Sequence, residues 1–197
     1  MPLLAVEIDG RTVAAVRCDD FHVVNARVSG SLVEPQFATV ELTASTHPEV
    51  GEGTYLLWLN ELELRPSQAV TFKFLANGEL FGTGRTIDEL HPEQDDAKGD
   101  PEMSIEECFL QLRARPNLRA GYSFLASTPT LPGQPSSTVP GEYSFSFSSL
   151  WNWLRQDRAS ISLSTWTIDS VEFNTPSREH FREYINPGQA ATLRVDA

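Results

Sequence analysis

The stretch Pro66–Phe74, which reads PSQAVTFKF, recurs 121 positions later as Pro187–Val195, which reads PGQAATLRV. Each copy starts with a proline, a variable residue and a glutamine, and then alternates apolar side chains with polar or basic ones. An alternation with period two is typical of a β-strand that buries one face. Because proline cannot continue a helix, we expect it to end a short helix ahead of the strand in each copy. The two stretches therefore predict one structural unit that occurs twice.

The match between the two halves extends without gaps, from Phe21–Phe74 to Glu142–Val195. Nine of the 54 aligned positions are identical, whereas average residue usage gives about three at a preset offset. Some non-identical pairs keep their chemistry, since Val40 aligns with Ile161 and Lys73 with Arg194. Any strand-rich chain shows some chance matches of this kind. The predicted helix caps and the Pro-x-Gln strands of the two halves coincide without gaps, however, and this favours an internal duplication.

Strands dominate the remaining pattern. Asp9-Gly10 favours the positive φ angles of a tight hairpin turn, so residues 3–8 and 11–17 are predicted to pair, and Asn77-Gly78 gives a second hairpin signal. The stretch 127–141 is rich in proline, serine and glycine, which indicates a loop. Further strands are predicted from alternation at 21–28, 37–44, 69–76, 122–126, 143–147, 159–166, 171–173 and 189–195.

Helices are fewer. Ser104 and Glu107 form a capping-box pattern that predicts a helix over 105–113, and Thr86 with Glu89 repeats the pattern before a less apolar segment. At aligned positions of the two halves, Thr54 is expected to cap a helix over 54–62, and Thr175-Pro176 to open one over 175–185.

These elements predict a mainly β fold with a few short helices, built as two related β-sandwich-like lobes from an internal duplication with an offset of 121. The expected division is a first lobe over 1–91, an acidic linker and helix over 92–118, and a second lobe over 119–197. The segment 91–102 has the Pro-, Asp- and Glu-rich composition of a linker.

Composition excludes several classes of protein. With 40% hydrophobic and 21% charged residues, the chain is too apolar for a disordered protein, and no apolar run approaches the roughly 20 residues of a membrane span. The net charge of −12 disfavours nucleic acid and anionic membrane as partners. The N-terminal stretch has no basic region and carries an acid as early as Glu7, unlike a secretory signal. With only two cysteines, we expect a cytoplasmic protein.

Catalytic signatures are missing from the sequence. The four histidines are scattered and none lies three or four positions from another, so no metal site is predicted. There is no Gly-x-Ser-x-Gly elbow and no phosphate-binding loop. Cys18 and Cys108 each follow or precede carboxylates, which disfavour a reactive thiolate, so buried or half-buried structural roles are expected for both. We therefore predict a protein that is not an enzyme and needs no cofactor.

Charge and aromatic residues are the remaining functional signals. Residues 1–98 carry 16 acids and 7 bases, which is −9 of the total −12. Such a concentration can steer a basic partner, although a charged linker also serves solubility. Trp151 and Trp153 lie beside Asn152, so at least one is expected to be exposed, and tryptophan concentrates binding energy at interfaces. The predicted partner-binding residues are Asp88, Glu89, Glu93, Asp95, Asp96, Trp151 and Trp153.

The sequence therefore predicts a non-catalytic cytoplasmic protein that binds another protein with a basic surface. Its most concrete form is a bacterial immunity or inhibitor protein that neutralises a basic toxin or nuclease. Two alternatives stay open: a carbohydrate-binding β-sandwich module, which would present exposed aromatics in a groove, and a structural subunit of a phage or secretion assembly, which would self-associate.

Overall fold

The computed structural model describes residues 1–46, 53–90, 92 and 104–197. These residues form two six-stranded antiparallel sheets with three short helices, which confirms the predicted mainly β class. The helices are α1 Ile87–Leu90, α2 Ile105–Ala114 and α3 Ile168–Glu172. The strands are β1 Leu3–Ile8, β2 Arg11–Arg17, β3 Val23–Ser31, β4 Ala38–Ser45, β5 Tyr55–Leu64, β6 Ala69–Leu75, β7 Ser123–Ser127, β8 Gln134–Ser137, β9 Glu142–Asn152, β10 Ala159–Thr167, β11 Arg178–Ile185 and β12 Gln189–Asp196.

The strand orders reproduce the duplication. Sheet A has the order β2-β1-β6-β12-β7-β8, and sheet B has the order β11-β10-β9-β3-β4-β5. Each strand of the first repeat has its counterpart six numbers later, so that β1 corresponds to β7. When every strand is exchanged for its counterpart, each order becomes the same list read in reverse. In sheet A, Thr71 pairs with Thr192, and in sheet B, Arg27 pairs with Ser148, and both pairs are 121 positions apart. The two repeats are therefore related by a pseudo-twofold axis that passes through both sheets.

The repeats share one hydrophobic core. A single buried cluster contains residues of both sheets and both repeats. Phe72 on β6 stacks on Phe147 on β9, with ring centroids 4.8 Å apart and an interplanar angle of 7°. Since Phe72 belongs to the first repeat and Phe147 to the second, the duplication has produced one sandwich in which each repeat supplies half of each sheet.

The recurring Pro-x-Gln motif is a tight turn that joins the sheets. Ser67 and Gly188, which follow the two prolines, both have positive φ, at 67° and 92°, as the third residue of a type II turn requires. Their amides donate to Val195 and Phe74, respectively, at 2.9 and 2.7 Å. The side-chain oxygens of the two glutamines likewise accept from the residue ahead of each proline, at 2.8 and 2.7 Å. The motif is thus a strand-to-strand connection, which corrects the prediction that its proline ends a helix.

Both predicted helices at the aligned positions are wrong. Residues 54–62 fall mainly in β5, which pairs with β4, and residues 175–185 fall mainly in β11, which pairs with β10. An apolar run such as Leu56–Leu59 suits a strand as well as a helix, and only pairing with a distant strand decides between them. The strand predicted at 171–173 is also wrong, since most of it lies in α3.

Other local signals are confirmed. Asp9 and Gly10 have positive φ and connect β1 to β2. The amide of Glu107 donates to the Ser104 hydroxyl at 3.2 Å, and the amide of Ser104 donates to the Glu107 carboxylate at 2.9 Å, so the capping box opens α2 as expected. The loop predicted over 127–141 contains β8, which pairs with β7 at the end of sheet A.

Candidate functional site

The connection between β9 and β10 exposes two large apolar side chains. It is a short 3₁₀ turn over Trp153–Arg155, and the Asn152 side chain accepts from the Leu154 amide at 3.0 Å. The Trp153 amide donates to the carbonyl of His22 at 2.9 Å, and the two rings pack edge to face with centroids 5.5 Å apart. Trp153 nevertheless remains 49% exposed and Leu154 73% exposed.

Two arginines flank Tyr184 beside this turn. The Arg155 and Arg158 guanidinium carbons lie 5.4 and 4.7 Å from the centroid of the Tyr184 ring, within range of cation–π attraction. Arg155 also donates a hydrogen bond to the Tyr184 hydroxyl. We call Trp153, Leu154, Arg155, Arg158 and Tyr184 the turn patch. Its composition of tryptophan, tyrosine and arginine is the one enriched at energetic hot spots of protein interfaces.

Trp151 is not part of this patch, which corrects its prediction as a partner-binding anchor. It is 1% exposed, because the alternation of β9 directs it into the core with Phe145 and Phe147. Its indole N–H donates to the carbonyl of Gln156 at 3.3 Å. β9 ends at Asn152, so the side chain of Trp153 does not follow the alternation between core and solvent along the strand. The expectation that at least one of the two tryptophans is exposed is confirmed for Trp153.

The predicted acidic residues lie elsewhere. Asp88 and Glu89 are exposed on α1, where the Thr86 amide donates to the Glu89 carboxylate at 2.8 Å. Phe81 pairs with β2 in sheet A and Arg85 with β5 in sheet B, so the segment leading to α1 connects the two sheet edges. Since β5 and β11 are opposite edges of sheet B, α1 and Tyr184 of the turn patch lie on opposite sides. The predicted residues Glu93, Asp95 and Asp96 lie outside the described residues.

The two edges of sheet B differ in charge although the pseudo-twofold axis relates them. The β5 edge carries Glu61 and Glu63 and no lysine or arginine. The β11 edge carries two arginines and two glutamates. With Asp88 and Glu89 beside it, the β5 edge is the acidic side of the described sandwich. The difference between these two equivalent edges is thus one part of the charge asymmetry of the sequence.

The outer face of sheet B forms the floor of a large groove, with a volume of about 1250 Å³. Serine and threonine hydroxyls dominate its lining, and Trp166, Tyr55 and Tyr143 contribute aromatic groups. The sequence signal for this groove is the alternating serine in two stretches, 144–148 and 160–164. Strand alternation places the serines of each stretch on one face of their own strand. The pairing of β9 with β10 then brings both sets of serines onto the same face of sheet B.

An ion pair between the buried Glu142 and the exposed Arg178 distinguishes the second repeat. Arg178 donates two hydrogen bonds to the Glu142 carboxylate, at 2.6 and 2.7 Å, and the Thr165 hydroxyl donates a third at 2.7 Å. Burial alone would raise the pKa of Glu142, but these hydrogen bonds and one from the Val139 amide lower that pKa to about 2. The counterparts of the three residues in the first repeat are apolar. The Glu142 carboxylate accepts all four of these hydrogen bonds. We therefore assign the Glu142–Arg178 pair a structural role.

The described part of the chain contains no group of three or more histidine, cysteine or acidic side chains placed to hold a metal ion. Within the same residues, no helix has both the length and the apolar character needed to cross a membrane. Cys18 is buried as expected, whereas Cys108 is exposed on α2, which corrects its predicted buried role. Helix α2 buries none of its residues fully, and Cys108 faces solvent for this reason.

Comparison of the chain with protein-family models, with curated proteins and with solved structures finds no match.

Proposed function

We propose that this chain is a non-catalytic protein that binds another protein through the turn patch. The observation that carries the proposal is a contrast between the two repeats. Leu32 and Val33, the counterparts of Trp153 and Leu154, are 2% and 7% exposed. The same turn position is therefore closed in one repeat and open in the other.

The chain itself covers the turn in the first repeat. The Leu118 amide donates to the carbonyl of Leu32 at 2.7 Å. Arg119 donates to the carbonyls of Ser31 and Glu34 at 2.5 and 3.1 Å, so residues 118–119 hold the turn from outside. No described residue covers the turn patch in this way. Large apolar side chains left exposed beside arginine and tyrosine favour a protein partner that covers them.

The acidic β5 edge supports a partner with a basic surface. Exposed carboxylates at Asp88, Glu89, Glu61 and Glu63 would raise the association rate with such a partner without contributing most of the affinity. We therefore assign the turn patch the anchoring role. The acidic edge, on the opposite side of sheet B, has a long-range steering role that acts through the field of the whole chain. Glu93, Asp95 and Asp96 lie outside the described residues and belong to the proposed steering group by their sequence alone. The most specific form of the proposal is a cytoplasmic bacterial immunity or inhibitor protein that neutralises a basic toxin or nuclease.

Affinity capture with the tagged chain from the source organism tests this function. We expect Trp153→Ser to lose a partner that the wild-type chain retains, while Leu110→Ser, which alters another exposed apolar residue on α2, retains it. The double variant Asp88→Asn/Glu89→Gln should weaken capture at low salt and have little effect at high salt, because exposed charges are screened. Capture that is unchanged by Trp153→Ser would overturn the proposal.

A further inference from the structure

We infer that the groove on the outer face of sheet B is a binding site for a neutral oligosaccharide, a role separate from the proposed protein binding. The groove has a volume of about 1250 Å³, which exceeds that of a typical small-molecule pocket. It is open along the sheet, so it suits an extended ligand. Helices α2 and α3 border it through Leu112 and Val171.

A row of four hydroxyl side chains crosses the floor. Thr39 pairs with Ser29, Ser29 with Ser146, and Ser146 with Ser164, on four successive strands. Neighbouring strands are about 4.8 Å apart, so the row spans about 14 Å. None of these four hydroxyls makes a hydrogen bond to any residue that the structure describes. Each can both donate and accept, as the hydroxyls of a sugar chain also do.

Ser164 is the least exposed member of this row. It is 7% exposed, but its hydroxyl oxygen is accessible from the groove, whose lining includes Ser164. This hydroxyl makes no hydrogen bond to a described residue. A ligand hydroxyl seated on Ser146 and Ser164 would supply that bond.

Charge and aromatic residues in the groove favour a neutral ligand. Arg27 and Arg182 balance Glu34 and Glu61 in the lining, so the groove has no net preference for an anion or a cation. Trp166 and Tyr55 add ring surfaces that combine an apolar body with a polar tip. These groups suit a polyhydroxylated chain, with apolar ring faces and hydrogen-bonding edges, better than a charged peptide or a nucleic acid.

Isothermal titration of the full chain with the neutral sugars cellohexaose, maltohexaose, chitohexaose and xylohexaose, and with hexagalacturonate as an anionic comparison, tests the inference. We expect at least one to bind with an affinity that is the same in 50 and 500 mM NaCl. The double variant Ser29→Val/Ser146→Val should weaken that binding at least tenfold and keep the wild-type thermal transition, because valine suits a strand. The matched variant Ser136→Val on β8, in the other sheet, should bind like the wild type.

Three results would overturn the inference: no binding of any of the four sugars, binding that the groove variant leaves unchanged, or binding of an anionic hexasaccharide alone. Each of these results is distinguishable from failure of the proposed protein binding, because Trp153→Ser should leave sugar binding unchanged.

Discussion

Thr71 and Thr192 face each other on neighbouring antiparallel strands, with their side-chain oxygens 2.9 Å apart. They are the same position of the two repeats, so the pseudo-twofold axis passes between them. Arg27 and Ser148 hold the corresponding place in sheet B. An ancestral pair of identical units, joined strand to strand across this axis, accounts for the palindromic strand orders.

The threonine pair should contribute measurable coupling to stability. We expect a double-mutant cycle with Thr71→Val and Thr192→Val to give a favourable coupling free energy of about 0.2–1 kcal/mol, the usual range for a cross-strand pair. Chemical denaturation of the four proteins measures it. A coupling near zero would mean that the two hydroxyls do not interact across the axis.

Gly188 should stabilise the second Pro-x-Gln turn, although the turn also forms around Ser67 at the equivalent position of the first repeat. Its φ of 92° is unfavourable for a residue with a side chain, so we expect Gly188→Ala to lower the free energy of unfolding by about 1–2 kcal/mol. Gly78→Ala is the control, because an added methyl at Gly78 meets its neighbours at ordinary contact distances of 3.7 Å or more. Equal effects of the two substitutions in thermal unfolding would contradict this account of the turn.

The Glu142–Arg178 pair should make stability depend on acidic pH. The pKa of Glu142 is lowered to about 2 in the folded chain, against about 4.3 for an unperturbed glutamate. The ionised carboxylate therefore stabilises the fold above about pH 5, and this contribution is lost as the pH falls toward 2. We expect Glu142→Gln to cost about 3 kcal/mol at pH 7, from the pKa difference, and progressively less at lower pH.

Unfolding titrations between pH 2 and pH 7 test this dependence. Glu179→Gln is the matched control, because Glu179 pairs with Arg182 in an exposed i,i+3 bridge at 2.8 Å, and exposed bridges contribute at most about 1 kcal/mol. A difference between wild type and Glu142→Gln that stays constant over this range would show that the carboxylate is not selectively stabilised when ionised.

The two cysteines should differ in reactivity. Burial, followed by the charge of Asp19, raises the pKa of Cys18 to about 12, whereas Cys108 is exposed. We expect one thiol per chain to react with a maleimide under native conditions, and two in denaturant. Mass spectrometry should place the native label on Cys108. Rapid native labelling of Cys18 would contradict its position in the core.

Local signals predicted much of the fold. The Asp9-Gly10 hairpin and the Ser104–Glu107 capping box depend only on neighbouring residues, and the structure contains both. The duplication was visible because the offset of 121 holds without gaps. The strands β5 and β11 were missed, since the apolar run in β5 fits a helix equally well and Thr175-Pro176 ahead of β11 favours the start of a helix. The identity of both strands depends on pairing with β4 and β10.

The candidate sites were only partly predictable, because they too depend on where strands end and on which distant strands pair. Trp151 and Trp153 are two positions apart, and the end of β9 at Asn152 decides which one is buried. Tyr184 is more than 25 residues from Arg155 in sequence, and only β10–β11 pairing brings it beside the turn. The groove requires four strands whose serines alternate in register, which no single stretch of sequence reveals.

Photo-crosslinking at Leu154 tests the proposed function most directly. Benzoylphenylalanine replaces Leu154 on the turn patch and, as a control, Leu110 on α2, which is comparably exposed. After irradiation of the source cells, we predict one specific protein adduct from position 154 and none from position 110. No adduct at position 154, or the same adducts at both positions, would contradict the assignment of the turn patch as the partner-binding surface.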